Sequence, residues 1–486
     1  MGKSLVKNSL YNILYKVVTA LYPLVAVTYV SHILMAEKMG MVSYAQNIVS
    51  YFAVIAALGI PTYGIREIAL RSNNKNRYSQ VFWELFFINF ISTTISLIVY
   101  AITILSVNKF KDNFLLYEIA GLQIFFNYAN VDWFYQGMEE YKYISIRSIV
   151  VKIIAIIALP LTIQSSGDYL WYALIYCLAI GGNNIFNIIR LKKYVSRPQK
   201  DLNILKHMKS ISVLLMVSIA VEIYAMIDTT MLGVFCDNQT VGCYSNAMKL
   251  TRMVNTMAAA IGAVLFPRLS VIYGNKDKKQ FGELVNKGLK IMLVIAVPAS
   301  VGMIICSNSI VTIFFGSSFE QSVSILRVLA LMTPVVVCNT IMGGQVLVTT
   351  QQENKYVFTV VTASVINVIL NLIFIPKYGA ISAAIASLIS EIIDISLYIW
   401  FARKYVMIRI SKKFIISIAV PLSVFAIISK LIVERLHMGD FSNLILNIIL
   451  CVGIYFALGY FMKNESIIFV KEKIVDIIQK RKIRDK

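Results

Sequence analysis

The chain has 486 residues, of which 58% are hydrophobic and 15% charged, and its mean hydropathy is +0.72. Soluble proteins are about half apolar and about a quarter charged, so this composition excludes a soluble globular domain and favours an integral membrane protein. The net charge of +21 is spread over short segments between apolar runs. That distribution suits the anionic surface of a membrane and argues against nucleic acid as a partner.

Charge-poor runs of about 20 residues, the length that crosses a bilayer, recur along the whole chain. Each run is expected to be a helix, because lipid offers no hydrogen-bond partner to the backbone. We therefore predict an all-α polytopic membrane protein with about fourteen transmembrane helices. The predicted spans are 10–31, 42–62, 82–105, 114–136, 146–164, 169–189, 211–235, 241–266, 288–308, 323–350, 357–375, 380–401, 414–432 and 442–462.

The lysine and arginine residues orient these spans. If the N-terminus is inside, the inner segments hold 35 of the 46 basic residues, the outer segments hold 5, and 6 lie within spans. A bias of this sign predicts that both termini are cytoplasmic. Segment 463–486 has its apolar residues on one side and predicts an amphipathic helix on the inner membrane surface.

Short motifs recur at offsets of 202 to 213 residues, each beside the corresponding span of its half of the chain. They are Gly40-x-x-Ser43-x-Ala45 and Gly242-x-x-Ser245-x-Ala247, Pro61 and Pro267, Lys142-Tyr143 and Lys355-Tyr356, and Lys193-Tyr194-Val195 and Lys404-Tyr405-Val406. Repeats of six spans run in the same direction, which predicts two six-helix lobes in parallel repeat, a central cavity and alternating access. The predicted domains are 1–205, 206–410, the two extra helices in 411–462, and the tail 463–486.

Signals for enzymatic chemistry are weak. The three histidines lie in or beside loops on different sides of the membrane, and the six cysteines show no metal-ligand spacing. No glycine-rich loop precedes Gly2-Lys3-Ser4, so no ATP site is predicted. We predict no metal, no cofactor and no catalytic residue. Cys236 and Cys243 flank one predicted external turn, and a disulfide between them is an open alternative.

Basic residues inside predicted spans are candidates for function, because a charge in the bilayer is costly. Lys249 and Arg252 lie near mid-depth of the eighth span, three residues apart on one helix face. An arginine fork beside a lysine suits a phosphate-bearing headgroup. Lys16 and Lys152 lie in the inner-leaflet part of the first and fifth spans. All four are predicted to bind the anionic part of a substrate.

Acidic residues form a second set, predicted to couple or gate transport. They are Asp132, Glu222, Asp228 and Glu391, the last sharing a helix face with Asp394. A buried carboxylate titrates near neutral pH, so H⁺ or Na⁺ is the expected coupling ion. Two alternatives stay open: charges of opposite sign that only hold helices together, and, for Asp132, an ion pair with Arg147 or Lys152 that fixes a gate or a loop.

One run of residues resembles the signature of bacterial polysaccharide-biosynthesis flippases, the O-antigen and capsule repeat-unit translocases. It is Asp132-Trp133-Phe134-Tyr135-Gln136-Gly137, continuing through Glu139, Tyr141, Ile144, Arg147 and Lys152. Further similar motifs are Gly59-Ile60-Pro61 with Tyr63-Gly64 and Arg66-Glu67, Asp228 with Met231-Leu232-Gly233, Gly242 with Tyr244-Ser245, Ala247 and Lys249, and Phe266-Pro267-Arg268. The resemblance covers essentially the whole chain.

The resemblance implies the fold of multidrug-and-toxin exporters and lipid II flippases. It also implies transport of an undecaprenyl-pyrophosphate-linked oligosaccharide from the inner to the outer leaflet of the bacterial cytoplasmic membrane. Membrane lipids, a glycan polymerase and glycosyltransferases would be partners. The rival functions are a drug or cation exporter of the same fold, a lipid II flippase, and a membrane-embedded glycosyltransferase or polymerase, which the short loops disfavour.

Overall fold

The computed structural model of the protein describes residues 5–198, 201–433, 436 and 438–469. These residues are predominantly helical and include no β-strand, which confirms the predicted all-α class. The chain forms two compact units, Met1–Ser245 and Asn246–Lys486. Most of the predicted tail, residues 470–486, lies outside the described residues, so its amphipathic helix stays a prediction.

The first unit contains ten complete helices within the described residues. They are α1 (Leu5–Ala57), α2 (Ile60–Ala69), α3 (Lys75–Ser106), α4 (Asn108–Lys111), α5 (Phe114–Phe125), α6 (Asp132–Gly137), α7 (Tyr141–Thr162), α8 (Tyr169–Ile180), α9 (Ile185–Leu191) and α10 (Leu205–Phe235). Helix α11 (Asn238–Gly274) begins in this unit and continues into the second.

Seven further helices of the described chain lie in the second unit. They are α12 (Lys278–Ile305), α13 (Ser307–Phe315), α14 (Gln321–Asn339), α15 (Glu353–Tyr378), α16 (Ala380–Ala402), α17 (Lys412–Ile428) and α18 (Asp440–Phe461). Helix α14 continues into a π-helical segment, Thr340–Leu347, and α17 into another, Ser429–Val433.

Ten helices in the described part of the chain are long and apolar enough to cross a membrane, and the bent helix α10 makes an eleventh. Three features explain the difference from fourteen. The first two predicted spans share α1, which is interrupted at Met35 by a non-helical φ of 59°. The fourth is divided between α5, a 3₁₀ turn and α6, and the eighth lies on the polar helix α11. Every predicted span therefore lies mostly on helical chain, but the count of fourteen is not confirmed.

The predicted repeat appears in the backbone hydrogen bonds of each unit. Before α7, Glu139 has a φ of 56°, and before α15, Gln351 has a φ of 58°. The next residue in each turn donates its N–H to the carbonyl five residues earlier, at 2.8 Å in both. The two Lys-Tyr-Val motifs also adopt the same type of turn. In each motif the tyrosine and valine amides both donate to one carbonyl, that of Leu191 in the first unit and that of Ala402 in the second. These matching turns support the internal repeat.

Gly40 and Gly242, the glycines of the repeated motif, face each other where α1 meets the start of α11. A Cβ on Gly40 would overlap the carbonyl oxygen of Asn238, and a Cβ on Gly242 would overlap that of Ala36. Only glycine allows two helix backbones to approach this closely. The motif therefore marks a helix crossing inside the first unit.

The aromatic residues of α6 are buried against neighbouring helices of the first unit. The Trp133 ring stacks on Phe82 of α3 with a centroid distance of 5.6 Å, and Phe134 packs edge-on against the same ring at 5.3 Å. Trp133 also covers Gly64 of α2, where a Cβ would overlap the indole. The aromatic part of the signature motif therefore packs three helices together and holds Asp132 at the N-terminus of α6.

Candidate functional site

Lys152 is a buried cation in the middle of α7. Its side chain is only 5% exposed, and Nζ donates to Thr19 Oγ1 at 2.8 Å and to Ser148 Oγ at 3.0 Å. Within the described chain no carboxylate forms an ion pair with it, and the ring of Tyr15 lies 5.9 Å away. Hydroxyl groups solvate this charge without neutralising it, so it retains its attraction for an anion. The side chain of Lys16 lies outside the described part of the structure.

Asp132 is held by two neighbouring helices. Arg147 of α7 donates through Nη2 to both carboxylate oxygens, at 2.8 and 3.0 Å, and Asn187 of α9 donates to Oδ1 at 2.7 Å. Arg147 also donates to the side-chain oxygen of Asn187, which closes the triad. The structure thus contains the ion pair with Arg147 that the sequence offered as an alternative to a transport role.

Asp228 of α10 lies in a polar cluster with residues of α1 and α11. Tyr244 donates its hydroxyl to Asp228 Oδ2 at 2.6 Å, and Asp228 is 5% exposed. Two residues further along α10, Thr230 is hydrogen-bonded to Asn47 at 2.6 Å and to Tyr51 at 2.7 Å. Glu222, the other acidic candidate on this helix, is partly buried. The cluster joins α10 to α1 within the first unit.

A further buried charge network was missed from the sequence. Glu84 of α3 is 1% exposed, and its carboxylate lies 2.7 Å from Lys206 Nζ and 2.9 Å from His207 Nε2. His207 Nδ1 lies 2.8 Å from the hydroxyl of Tyr63 on α2, and the amide of Asn203 donates to Glu84 at 3.1 Å. The network fastens the start of α10 to α2 and α3.

In the second unit, Lys249 and Arg252 lie on α11, one turn apart as predicted. Lys249 is partly buried and Arg252 is exposed. The helix around them is unusually polar for a membrane helix, with Asn246 and Thr251 buried in the same stretch. Helix α11 therefore presents two positive charges on a polar segment.

Glu391 and Asp394 are buried on α16, 9% and 4% exposed respectively. Asn339, at the end of α14, donates to Glu391 Oε2 at 2.6 Å and to the Glu391 carbonyl at 3.1 Å. Three buried oxygens here lack a hydrogen-bond donor within the described structure: Asp394 Oδ1, Asn339 Oδ1 and Gln345 Oε1. Asn339 precedes a π-helical segment, a feature frequent at functional sites, and Gln345 lies within it. The Asp394 carboxylate can take up a proton, and carboxylate and amide oxygens together are suited to bind a hard cation.

No group of three or more metal-binding side chains occurs in the residues that the structure describes. All six cysteines are free, so the possible pair of Cys236 and Cys243 is not a disulfide in this structure. Burial raises the pKa of the Cys236 thiol, and the negative charge of the neighbouring Asp237 raises it further. A protonated thiol is a poor partner for disulfide exchange.

Two family models match the chain. A model described as polysaccharide biosynthesis protein matches residues 5–273, and a model described as MatE matches residues 214–373. A solved structure of the lipid II flippase MurJ, in an inward closed conformation, has a TM-score of 0.70. That match covers 96% of this chain and 100% of MurJ at 17% identity. At such low identity the likeness shows the fold.

Named relatives are similar over different lengths. The chain is 26% identical over 192 residues to the "Probable low-salt glycan biosynthesis flippase Agl15" of Haloferax volcanii, which is 40% of each protein. It is 20% identical over 404 residues to the "Putative O-antigen transporter" of Escherichia coli K12, covering 82% of this chain and 97% of that one. Because the first family model covers more than half of the sequence, this chain belongs to the polysaccharide biosynthesis protein family.

Proposed function

We propose that the protein is a flippase that moves an undecaprenyl-pyrophosphate-linked oligosaccharide from the inner to the outer leaflet of the bacterial cytoplasmic membrane, for O-antigen or capsule synthesis. The family and the names of the relatives support a glycan-linked lipid as the substrate class. The observation that carries most weight is Lys152, a buried ammonium group on a membrane-spanning helix with hydroxyl partners and no carboxylate among the described residues.

A pyrophosphate requires positive charge inside the membrane, because its negative charges are otherwise costly to desolvate. We assign this binding to Lys16 and Lys152 in the first unit and to Lys249 and Arg252 in the second. The glycan follows polar helix surfaces, of which α11 is one, while the lipid tail stays in the bilayer. Alternating access then requires that the substrate bind one conformation better than the other.

The acidic residues fall into two proposed roles. Glu391, with Asp394 and Asn339 beside it, binds the coupling ion, H⁺ or Na⁺, because its surroundings supply oxygens that lack donors. Glu222 and Asp228 are proposed to respond to the same ion on α10. Asp132 acts in gating, through its ion pair with Arg147. We also propose that both termini lie in the cytoplasm and that the glycosyltransferases and polymerase of the pathway supply and use the substrate.

The test is transport by purified protein in proteoliposomes, with a fluorescent undecaprenyl-pyrophosphate oligosaccharide as the probe. We expect K249Q/R252Q and K152Q each to lower the flipping rate about tenfold or more, since each variant removes charge that the pyrophosphate needs. The matched control is K404Q/K412Q, which removes two exposed lysines. Wild-type rates in all three variants would contradict the proposal, as would glycan extension by the purified protein.

A cation or drug exporter is the second candidate, favoured by the buried Glu391 and Asp394 and by the MatE match. An exporter of cations needs acidic rather than basic groups along its path. Drug sensitivity of a deletion strain that still makes surface glycan would favour this function. A lipid II flippase, the third candidate, predicts loss of viability on deletion.

A further inference from the structure

The second unit contains a basic cavity of about 830 Å³ that is separate from the residues assigned to substrate or ion binding. Its walls are the first turns of α12, residues 405–409 after α16, and residues 465–469 after α18. Five cations line it: Lys278, Lys279, Lys287, Lys290 and Arg409. The lining contains two carboxylates, those of Glu283 and Glu465, so it carries excess positive charge.

The carboxylates neutralise this charge only weakly. Lys290 and Glu465 are 3.8 Å apart, and the Glu465 side chain is 86% exposed, so water screens the pair. Lys287 is not in an ion pair within the described structure; its Nζ lies 3.9 Å from the centre of the Phe469 ring. Lys287 and Lys290 therefore give the cavity positive charge that an anionic ligand would balance.

Hydrogen bonds between two chain segments hold the cavity wall in place. Asn286 of α12 donates to the carbonyl of Met407 at 3.0 Å and accepts from the amide of Arg409 at 2.6 Å. These two bonds fasten the segment after α16 to α12 and hold Arg409 at the cavity. Ile291 and Ile468 add an apolar side to the same lining.

The position of the cavity indicates the class of ligand. It lies where α12 begins and where α16 and α18 end, at the predicted cytoplasmic ends of three membrane-spanning helices. Phospholipid phosphate groups lie at this depth, with their acyl chains directed toward the apolar side. The sequence after Phe469 contains seven lysine or arginine residues and three acidic ones, so its net charge is also positive.

We propose that this cavity binds the phosphate headgroup of an anionic phospholipid of the inner leaflet. Lys287 and Lys290 contact the phosphate, Arg409 closes over it, and Ile291 and Ile468 face the first part of an acyl chain. The inference does not depend on the proposed transport function, because none of Lys16, Lys152, Lys249 or Arg252 lines this cavity.

The experiment measures lipids retained by the purified full-length protein by native mass spectrometry, with phosphatidylglycerol as the probe and phosphatidylcholine as the neutral comparison. We expect K287Q/K290Q/R409Q to bind phosphatidylglycerol about tenfold more weakly, with no change for phosphatidylcholine. The control K404Q/K412Q/K413Q removes three exposed charges from the same side of the unit but outside the cavity lining, and it should bind as the wild type does. K287R/K290R keeps the charge and should retain binding.

Three results would overturn the proposal. One is an equal loss of phosphatidylglycerol in the cavity variant and the control K404Q/K412Q/K413Q, which would indicate a diffuse surface effect. Another is loss of binding in K287R/K290R while its melting temperature equals that of the wild type. The third is displacement of the lipid by inorganic phosphate, or by the undecaprenyl-pyrophosphate substrate, at equal concentration, which would assign the cavity to that compound instead.

Discussion

Asp132, a charged residue of the first unit, is hydrogen-bonded and ion-paired to residues of other helices. Asp132 accepts three hydrogen bonds from Arg147 and Asn187, although these residues lie on α7 and α9. Arg147 is 6% exposed, so its charge depends on Asp132 for compensation. A buried pair of this kind contributes little when complete, but breaking one partner leaves an uncompensated charge.

We therefore expect D132N to lower the free energy of unfolding by about 3–5 kcal/mol. The double variant D132N/R147Q should recover part of that loss, because neither charge is then left alone. Stability in detergent, measured for both single variants and the double variant, gives the coupling energy. The control pair is Glu140 and Arg190, whose 3.2 Å ion pair is partly exposed, and E140Q should cost only about 1 kcal/mol or less. Equal costs for D132N and E140Q would show that the triad is not the buried anchor described above.

Sequence reasoning identified some of these residues and could not have identified others. Charge within an apolar run singled out Lys152, and the structure places it in the interior. Glu84 gave no such signal, because it stands at the edge of a predicted span and its partners Lys206 and His207 follow more than 120 residues later. No local spacing links groups that only tertiary packing brings together. The oxygens of Asn339 and Gln345 that lack a donor in the described part of the chain could not be predicted for the same reason.

Helices were predictable as elements, but their interruptions were not. Hydropathy and length located helical chain at every predicted span, since lipid enforces internal backbone hydrogen bonding. The break at Met35 and the 3₁₀ turn at Phe126–Ala129 leave no mark in composition. The Gly-x-x-Ser-x-Ala repeat, in contrast, marked a close helix crossing, and its physical reason is the contact of Gly40 with Gly242.

This crossing gives a prediction for the element scale. G242A introduces a methyl group against the carbonyl of Ala36, so α1 and α11 must separate, and we expect a loss of about 1–3 kcal/mol in unfolding free energy. G302A is the matched control, because that glycine is inside α12 with no atom within 4 Å of the added Cβ. It should be neutral or stabilising by about 0.5–1 kcal/mol. Thermal unfolding in detergent compares the two, and a G242A protein as stable as G302A would mean that the helices tolerate separation.

Two carboxylates in the first unit differ from one in the second in the hydrogen-bond donors around them. In the first, Asp132 and Glu84 are surrounded by donors, and these networks fix helices to one another. In the second, Asp394 and Asn339 keep buried oxygens that have no donor in the described structure. A carboxylate surrounded by donors favours one arrangement, whereas a carboxylate with an oxygen that lacks a donor gains free energy when a proton or cation binds. This contrast supports the proposal that Glu391 and Asp394 bind the coupling ion, whereas the network around Glu84 holds helices in place.

Transport by the whole molecule should therefore depend on an ion through Glu391 and Asp394. In proteoliposomes with an imposed Na⁺ or H⁺ gradient, we expect the wild-type flipping rate to respond to one of the two ions. E391Q/D394N should lose about tenfold or more of that response, because amides keep the shape but cannot release a proton or neutralise a cation. Binding of the lipid-linked substrate should persist, since the proposed phosphate ligands are unchanged. E320Q/E353Q, which neutralises two exposed acids of the same unit, is the control and should respond as the wild type does. A gradient response that survives in E391Q/D394N would place the coupling ion elsewhere.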